Sequence, residues 1–157
     1  MNFTLILNEK KTIIQASPSE SLMFVLRKNG MLSVKPGCES GTCGSCTVLF
    51  NGKPVPSCKI PIAITMNQEV ETLEHFSQSE AYQDIMKGFA KAGIKLCGYC
   101  NSGKIFAAAS LLSAKNKPTR VSIKKLVSHL SPCCTDIDTL INGILYAIDI
   151  YNRRTGM

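Results

Sequence analysis

The sequence predicts an α+β chain of two halves, a strand-rich β-grasp arrangement followed by an all-helical domain. Three observations carry this expectation. The first half shows alternation of period two and an Asn51-Gly52 hairpin signal. The second half shows apolar residues at helical spacing between capping residues. Eight cysteines fall into two groups, Cys38, Cys43, Cys46 and Cys58, then Cys97, Cys100, Cys133 and Cys134, and the pattern changes in the gap between them. We therefore divide the chain into residues 1–75 and 76–157.

In the first half Phe3, Leu5 and Leu7 alternate with Thr4, Ile6 and Asn8, as in a half-buried strand. Asn8 to Lys11 reads as a polar turn, with Thr12 to Gln15 as its hairpin partner. Ser19 is the expected N-cap of a short helix through Leu22, Val25 and Leu26, closed by Asn29-Gly30. Val48 to Phe50 and the stretch around Val55 flank the Asn51-Gly52 turn. Residues 71–80 read as a polar connector.

Four helices follow. Ala81 to Ala92 stops at Gly93, and Ile105 to Lys115 is capped by Asn101 or Ser102 and followed by Pro118. Ser122 caps Ile123 to Leu130, and Thr135 or Asp136 caps the last helix through Ile148. Met86, Phe89 and Phe106 are expected in the core.

Composition excludes several functions. With 45% hydrophobic and 18% charged residues the chain is globular. The N-terminus has no basic segment leading into a long apolar run, so a cytoplasmic location is expected. Ile105 to Ala114 is too short to cross a bilayer, so no membrane role is expected. The formal charge of +7 does not indicate nucleic-acid binding, because the basic residues are dispersed and aromatics are only 6%. Reduced cysteines in such a chain are more naturally metal ligands than disulfides.

Cys38-x4-Cys43-x2-Cys46, with Cys58 distant, is the plant-type ferredoxin spacing for a [2Fe–2S] cluster. A loop that wraps three thiolates around one cluster needs positive φ and close backbone approach, which Pro36-Gly37, Gly41 and Gly44 can supply. Zinc is the alternative, but only Cys43 and Cys46 have zinc-type spacing and no histidine is near. Cys97-Gly98-Tyr99-Cys100 and Cys133-Cys134 each precede a helix start, where the macrodipole favours thiolates. A second cluster on these four thiols is the expectation; a disulfide, zinc or inert thiols are the alternatives. His75 and His129 are isolated and read as solvated or capping, and Arg153-Arg154 as a mobile basic tail.

The stretches SVKPGCESGTCGSCTVLFNGKPVPSC, VETLEH, LCGYC-x-x-G and SPCCTD resemble the small subunit of the molybdenum hydroxylases, the xanthine dehydrogenase and carbon monoxide dehydrogenase family. The resemblance runs nearly end to end. It implies a plant-type ferredoxin-like β-grasp domain, a C-terminal four-helix bundle, and one [2Fe–2S] cluster in each. All eight cysteines would be ligands, with Gly41, Gly44 and Gly98 shaping the cluster loops. Partners would be a molybdopterin-binding large subunit and an FAD-binding medium subunit, with electrons passing from the former toward the latter. No serine–histidine–acid set, phosphate loop or paired carboxylates occur, so no substrate site is expected on this chain. A free-standing two-cluster ferredoxin-type carrier is the alternative function.

The chain departs from the family pattern at three places. Leu96 stands where the family has a pterin-contacting glutamine, and Asn101-Ser102-Gly103 where it has Thr-Pro-Gly. The family's last ligands form Cys-Arg-Cys; anchored on Thr135, Cys134 matches the last cysteine, Cys133 the arginine, and Pro132 the earlier ligand.

Overall fold

The computed structural model describes residues 1–130 and 134–156, so Cys133 lies outside the described residues. Strands β1 (Asn2–Leu7), β2 (Lys10–Gln15), β3 (Thr47–Phe50), β4 (Lys53–Pro56) and β5 (Glu69–Glu71) form one mixed sheet in the order β2-β1-β5-β3-β4. Two antiparallel hairpins close the outer pairs, with Leu7 opposite Lys10 and Phe50 opposite Lys53. Each therefore turns in two residues, and both turns take positive φ throughout: Asn8 51° and Glu9 69°, Asn51 50° and Gly52 82°. The first turn is shorter than the sequence suggests, because Lys10 and Lys11 already belong to β2.

β5 is the strand the sequence does not disclose. It joins the hairpins by pairing parallel with β1 and antiparallel with β3. Helix α1 (Leu22–Lys28) buries Leu22, Met23, Val25 and Leu26 against Phe3, Leu5, Val48 and Val70. Its cap is Ser21, whose hydroxyl accepts from the Phe24 N–H, and not Ser19.

The second half holds α2 (Leu73–Phe76), α3 (Glu80–Lys91), α4 (Asn101–Leu112), α5 (Arg120–Val127) and α6 (Ile137–Thr155). α3 to α6 share a core that includes Ile85, Phe89, Phe106, Ile123, Leu140 and Ile144, with Met86 at its margin. Two of these helix starts differ from expectation, and the third falls on one of its two expected caps. α4 begins at Asn101 with Cys100 as its cap residue. Thr119 caps α5, and Ser122 closes a reciprocal capping box from inside the helix. Asp136 caps α6 by accepting from the Thr139 N–H.

Arg154 is not part of a mobile tail. Its guanidinium donates to the buried Asp84 carboxylate at 2.8 Å and to Glu80 at 2.8 Å, pinning the end of α6 onto α3. No helix among the described residues is long and apolar enough to cross a membrane.

Candidate metal centres

The first thiol group lies on the loop between α1 and β3, with Cys58 arriving in a single 3-10 turn after β4. The loop directs donors at sulfur. The Cys38 sulfur accepts from the N–H groups of Ser40, Thr42 and Cys43 at 3.4, 3.4 and 3.2 Å and from the Thr42 hydroxyl at 3.4 Å. Hydrogen bonding from Ser40, then from Thr42 and the Cys43 backbone, holds the Cys38 thiol down to about 4. The Cys43 sulfur accepts from the N–H groups of Cys38 and Ser45 at 3.4 and 3.5 Å. Cys46 is buried, and its sulfur accepts from the Cys58 N–H at 3.4 Å.

Cys58 behaves oppositely. Burial, followed by the hydrogen bond and charge of neighbouring Cys46, pushes its thiol up to about 11. Charge on Cys46, with a smaller contribution from Cys38, adds to burial in resisting deprotonation of Cys58. Donors on Cys38 and mutual repulsion at Cys58 together suit a metal-bound thiolate set. The glycines act in two ways. Gly41 and Gly44 take φ of 86° and 83°. Gly37 contributes space instead, since a Cβ there would stand 2.6 Å from the Cys43 sulfur.

The second group is tighter. The sulfurs of Cys97, Cys100 and Cys134 all lie within 4.8 Å of one another, with Cys97–Cys100 at 3.3 Å and Cys100–Cys134 at 3.4 Å. The helix ends do this: Cys100 caps α4, and Cys134 stands two residues before the cap of α6. Gly98 turns the Cys97–Cys100 loop at a φ of 86°, while its N–H donates to the Asn101 side chain at 2.9 Å. A free-thiol protein gains nothing from stacking three sulfurs in one place, whereas a soft metal needs them there. Leu96 packs half-buried against the helical core.

The two thiol loops touch. The Tyr99 hydroxyl donates to the Pro36 carbonyl, and the Ser102 hydroxyl donates to the Ser33 carbonyl at 3.0 Å. Gly103 in the first turn of α4 lies against Gly44 so closely that a Cβ on it would be 2.8 Å from the Gly44 carbonyl oxygen. Glu74 secures the seam by accepting from the Ser33 hydroxyl and, at 2.9 Å, from its N–H. Sequence reasoning missed these contacts and also Lys104, whose ammonium donates to the Cys100 sulfur at 2.8 Å. The signal was available, because Lys104 stands four residues after Cys100 and helical side chains lean toward the N-terminus.

Among the described residues neither histidine joins a thiol group. His75 is not simply solvated, since its ring meets Glu71 at 2.6 Å and Glu9 at 3.4 Å. The Glu71 hydrogen bond leads in raising the His75 pKa above its ordinary 6.5. A raised folded pKa means the pair stabilises the fold fully below the unfolded pKa and loses that contribution as pH rises through the folded value. An NMR titration should therefore give His75 a pKa above 6.5, and Glu71→Gln should lower it.

Comparison with known proteins agrees with this arrangement. A family described as "2Fe-2S iron-sulfur cluster binding domain" matches residues 4–92, and one described as "[2Fe-2S] binding domain" matches residues 72–145. Fold and thiol arrangement thus define a [2Fe–2S]-binding protein. The nicotinate dehydrogenase small FeS subunit of Eubacterium barkeri is 33% identical over 144 residues, covering 91% of this chain and 92% of that protein. The xanthine dehydrogenase iron-sulfur-binding subunit of Escherichia coli O157:H7 is 33% identical over 134 residues, covering 84% of each. A chain of quinoline 2-oxidoreductase from Pseudomonas putida 86 superposes with a TM-score of 0.86 at 29% identity, covering 98% of this chain and 96% of that one. The chain belongs to the small iron–sulfur subunits of the molybdenum hydroxylase family.

Proposed function

We propose that the chain is the electron-transfer subunit of a molybdenum hydroxylase-type oxidoreductase, working in the cytoplasm without a substrate site of its own. Electrons would come from a molybdopterin-binding large subunit and leave toward an FAD-binding medium subunit. The observation that carries this reading is the seam itself: two sets of clustered thiols lie on loops in direct contact through Tyr99–Pro36 and Gly103–Gly44.

Cys38, Cys43, Cys46 and Cys58 would hold one [2Fe–2S] cluster in a β-grasp ferredoxin-like domain. Cys97, Cys100 and Cys134, completed by Cys133, would hold the other in a four-helix-bundle domain. A bound [2Fe–2S] cluster supplies a reversible one-electron store. The protein's own part is to hold thiolates in fixed geometry, aim N–H groups at their sulfurs and keep the seam narrow. The Cys46 and Cys100 side of each site is buried, which limits water.

The isolated chain should be reducible by dithionite yet oxidise no purine, aldehyde or N-heterocycle; substrate-dependent reduction of the lone chain would contradict the proposal. Cys133→Ser should abolish or alter one of two EPR signals of the reduced chain. An unchanged pair of signals would make Cys133 a bystander.

A further inference from the structure

Lys104 is the least expected side chain in the helical domain. It is 1% exposed, although lysine is almost never fully buried unless paired. Its ammonium stands 2.8 Å from the Cys100 sulfur. It also sits in the first turn of α4, where the macrodipole is positive and a cation is disfavoured. Taking an ammonium out of water is costly, and a close anion offsets part of that cost. Burial and dipole are both eased by negative charge beyond the N-terminal end of α4. The sulfurs of Cys97, Cys100 and Cys134 bound that place.

We propose that Lys104 tunes the helical-domain cluster, raising its reduction potential by placing a buried positive charge on the Cys100 ligand. The inference rests on the assignment of a cluster to that thiol set. Reduction adds one electron, turns one ferric iron to ferrous, and takes the site's charge from about −2 to about −3; no bond breaks and no proton moves. The electron comes from dithionite in a titration and from the large subunit in the complex. A neighbouring cation interacts more favourably with the more negative reduced state, and burial weakens the screening of that difference. The direction follows from charge alone: without Lys104 the reduced state becomes harder to reach. Among the properties that set such potentials, this is local charge and hydrogen bonding to sulfur.

The test is an EPR-monitored redox titration of the full chain, purified anaerobically, comparing wild type with Lys104→Met and Lys104→Arg. Lys104→Met should shift the one-electron equilibrium of one cluster toward the oxidised state by at least about tenfold, which is 59 mV downward, and leave the other cluster unmoved. Lys104→Arg, which keeps the charge, should remain within about threefold of wild type. Two retained signals with unmoved potentials would overturn the tuning role while leaving the cluster assignment intact, as would an arginine variant that shifts as far as the methionine one. A wild type with a single cluster signal would overturn the assignment, and the inference with it. Should Lys104→Met not fold, a second measurement decides. In Cys43→Ser protein labelled with ¹⁵N-lysine, where only the helical-domain signal remains, pulsed EPR should detect hyperfine coupling from a lysine nitrogen. No coupling would overturn the proposal.

Discussion

Replacing Cys43 with serine should remove about half of the iron and inorganic sulfide from the anaerobically purified chain, because one of the two proposed clusters would be lost. Cys43 sits where the loop can least compensate. Its sulfur accepts two backbone N–H groups and packs onto the space Gly37 leaves open. A serine oxygen is a harder ligand on a shorter bond, so it matches neither the soft-metal preference nor the donor geometry. Neither Cys46 nor Cys58 is free to substitute, because the Cys58 N–H already donates to the Cys46 sulfur. The helical thiols sit on separate elements and should keep their iron. Quantifying iron and sulfide per chain checks this. Full retention, or a Cys38–Cys58 disulfide in the wild-type chain, would contradict the first ligand set.

Gly103→Ala should destabilise the protein, against the prediction from helix propensity. Gly103 lies within α4, and replacing a helical glycine by alanine gains up to about 1 kcal/mol where space allows. Here it does not allow it. The added Cβ would meet the Gly44 oxygen, Cα and carbonyl carbon at 2.8, 2.9 and 3.0 Å, all of them backbone atoms. Overpacking of that kind costs about 1–3 kcal/mol. Gly44 cannot retreat easily, because its Thr47 neighbour donates both backbone N–H and hydroxyl to the Gly44 carbonyl. The contact term therefore wins, and the melting temperature should fall by roughly 2–4 °C per kcal/mol lost. A rise in melting temperature would mean the seam is slack. Prising the loops apart should also slow electron passage between the centres.

Much of this was legible from residue order. Asn51-Gly52 fixed one hairpin because its two residues favour the positive φ that a two-residue turn needs. The thiol spacing pointed to the loop between α1 and β3 as a candidate ligand loop, and that loop aims backbone N–H groups at the Cys38 and Cys43 sulfurs. β5 escaped because Glu69-Val70-Glu71 has one apolar residue between two acids, and its pairing with β1 spans most of the first half. The cap shifts at Ser21 and Thr119 arose where several hydroxyls compete within three residues and tertiary packing chooses among them. Arg154 read as a tail because its partners, Asp84 and Glu80, lie about seventy residues upstream. The contact of Gly103 with Gly44 is likewise a relation between halves, which local pattern does not encode. The ligand role of Cys133 rests on sequence alone.

We propose that one chain holds two [2Fe–2S] clusters on neighbouring loops. Spin quantification of the dithionite-reduced, anaerobically purified chain tests it most directly, alongside its iron content. About four irons per chain are expected, with two distinct S = 1/2 signals integrating to about two spins and broadened by their mutual proximity. About two irons with a single signal, or zinc in place of the second iron pair, would contradict it.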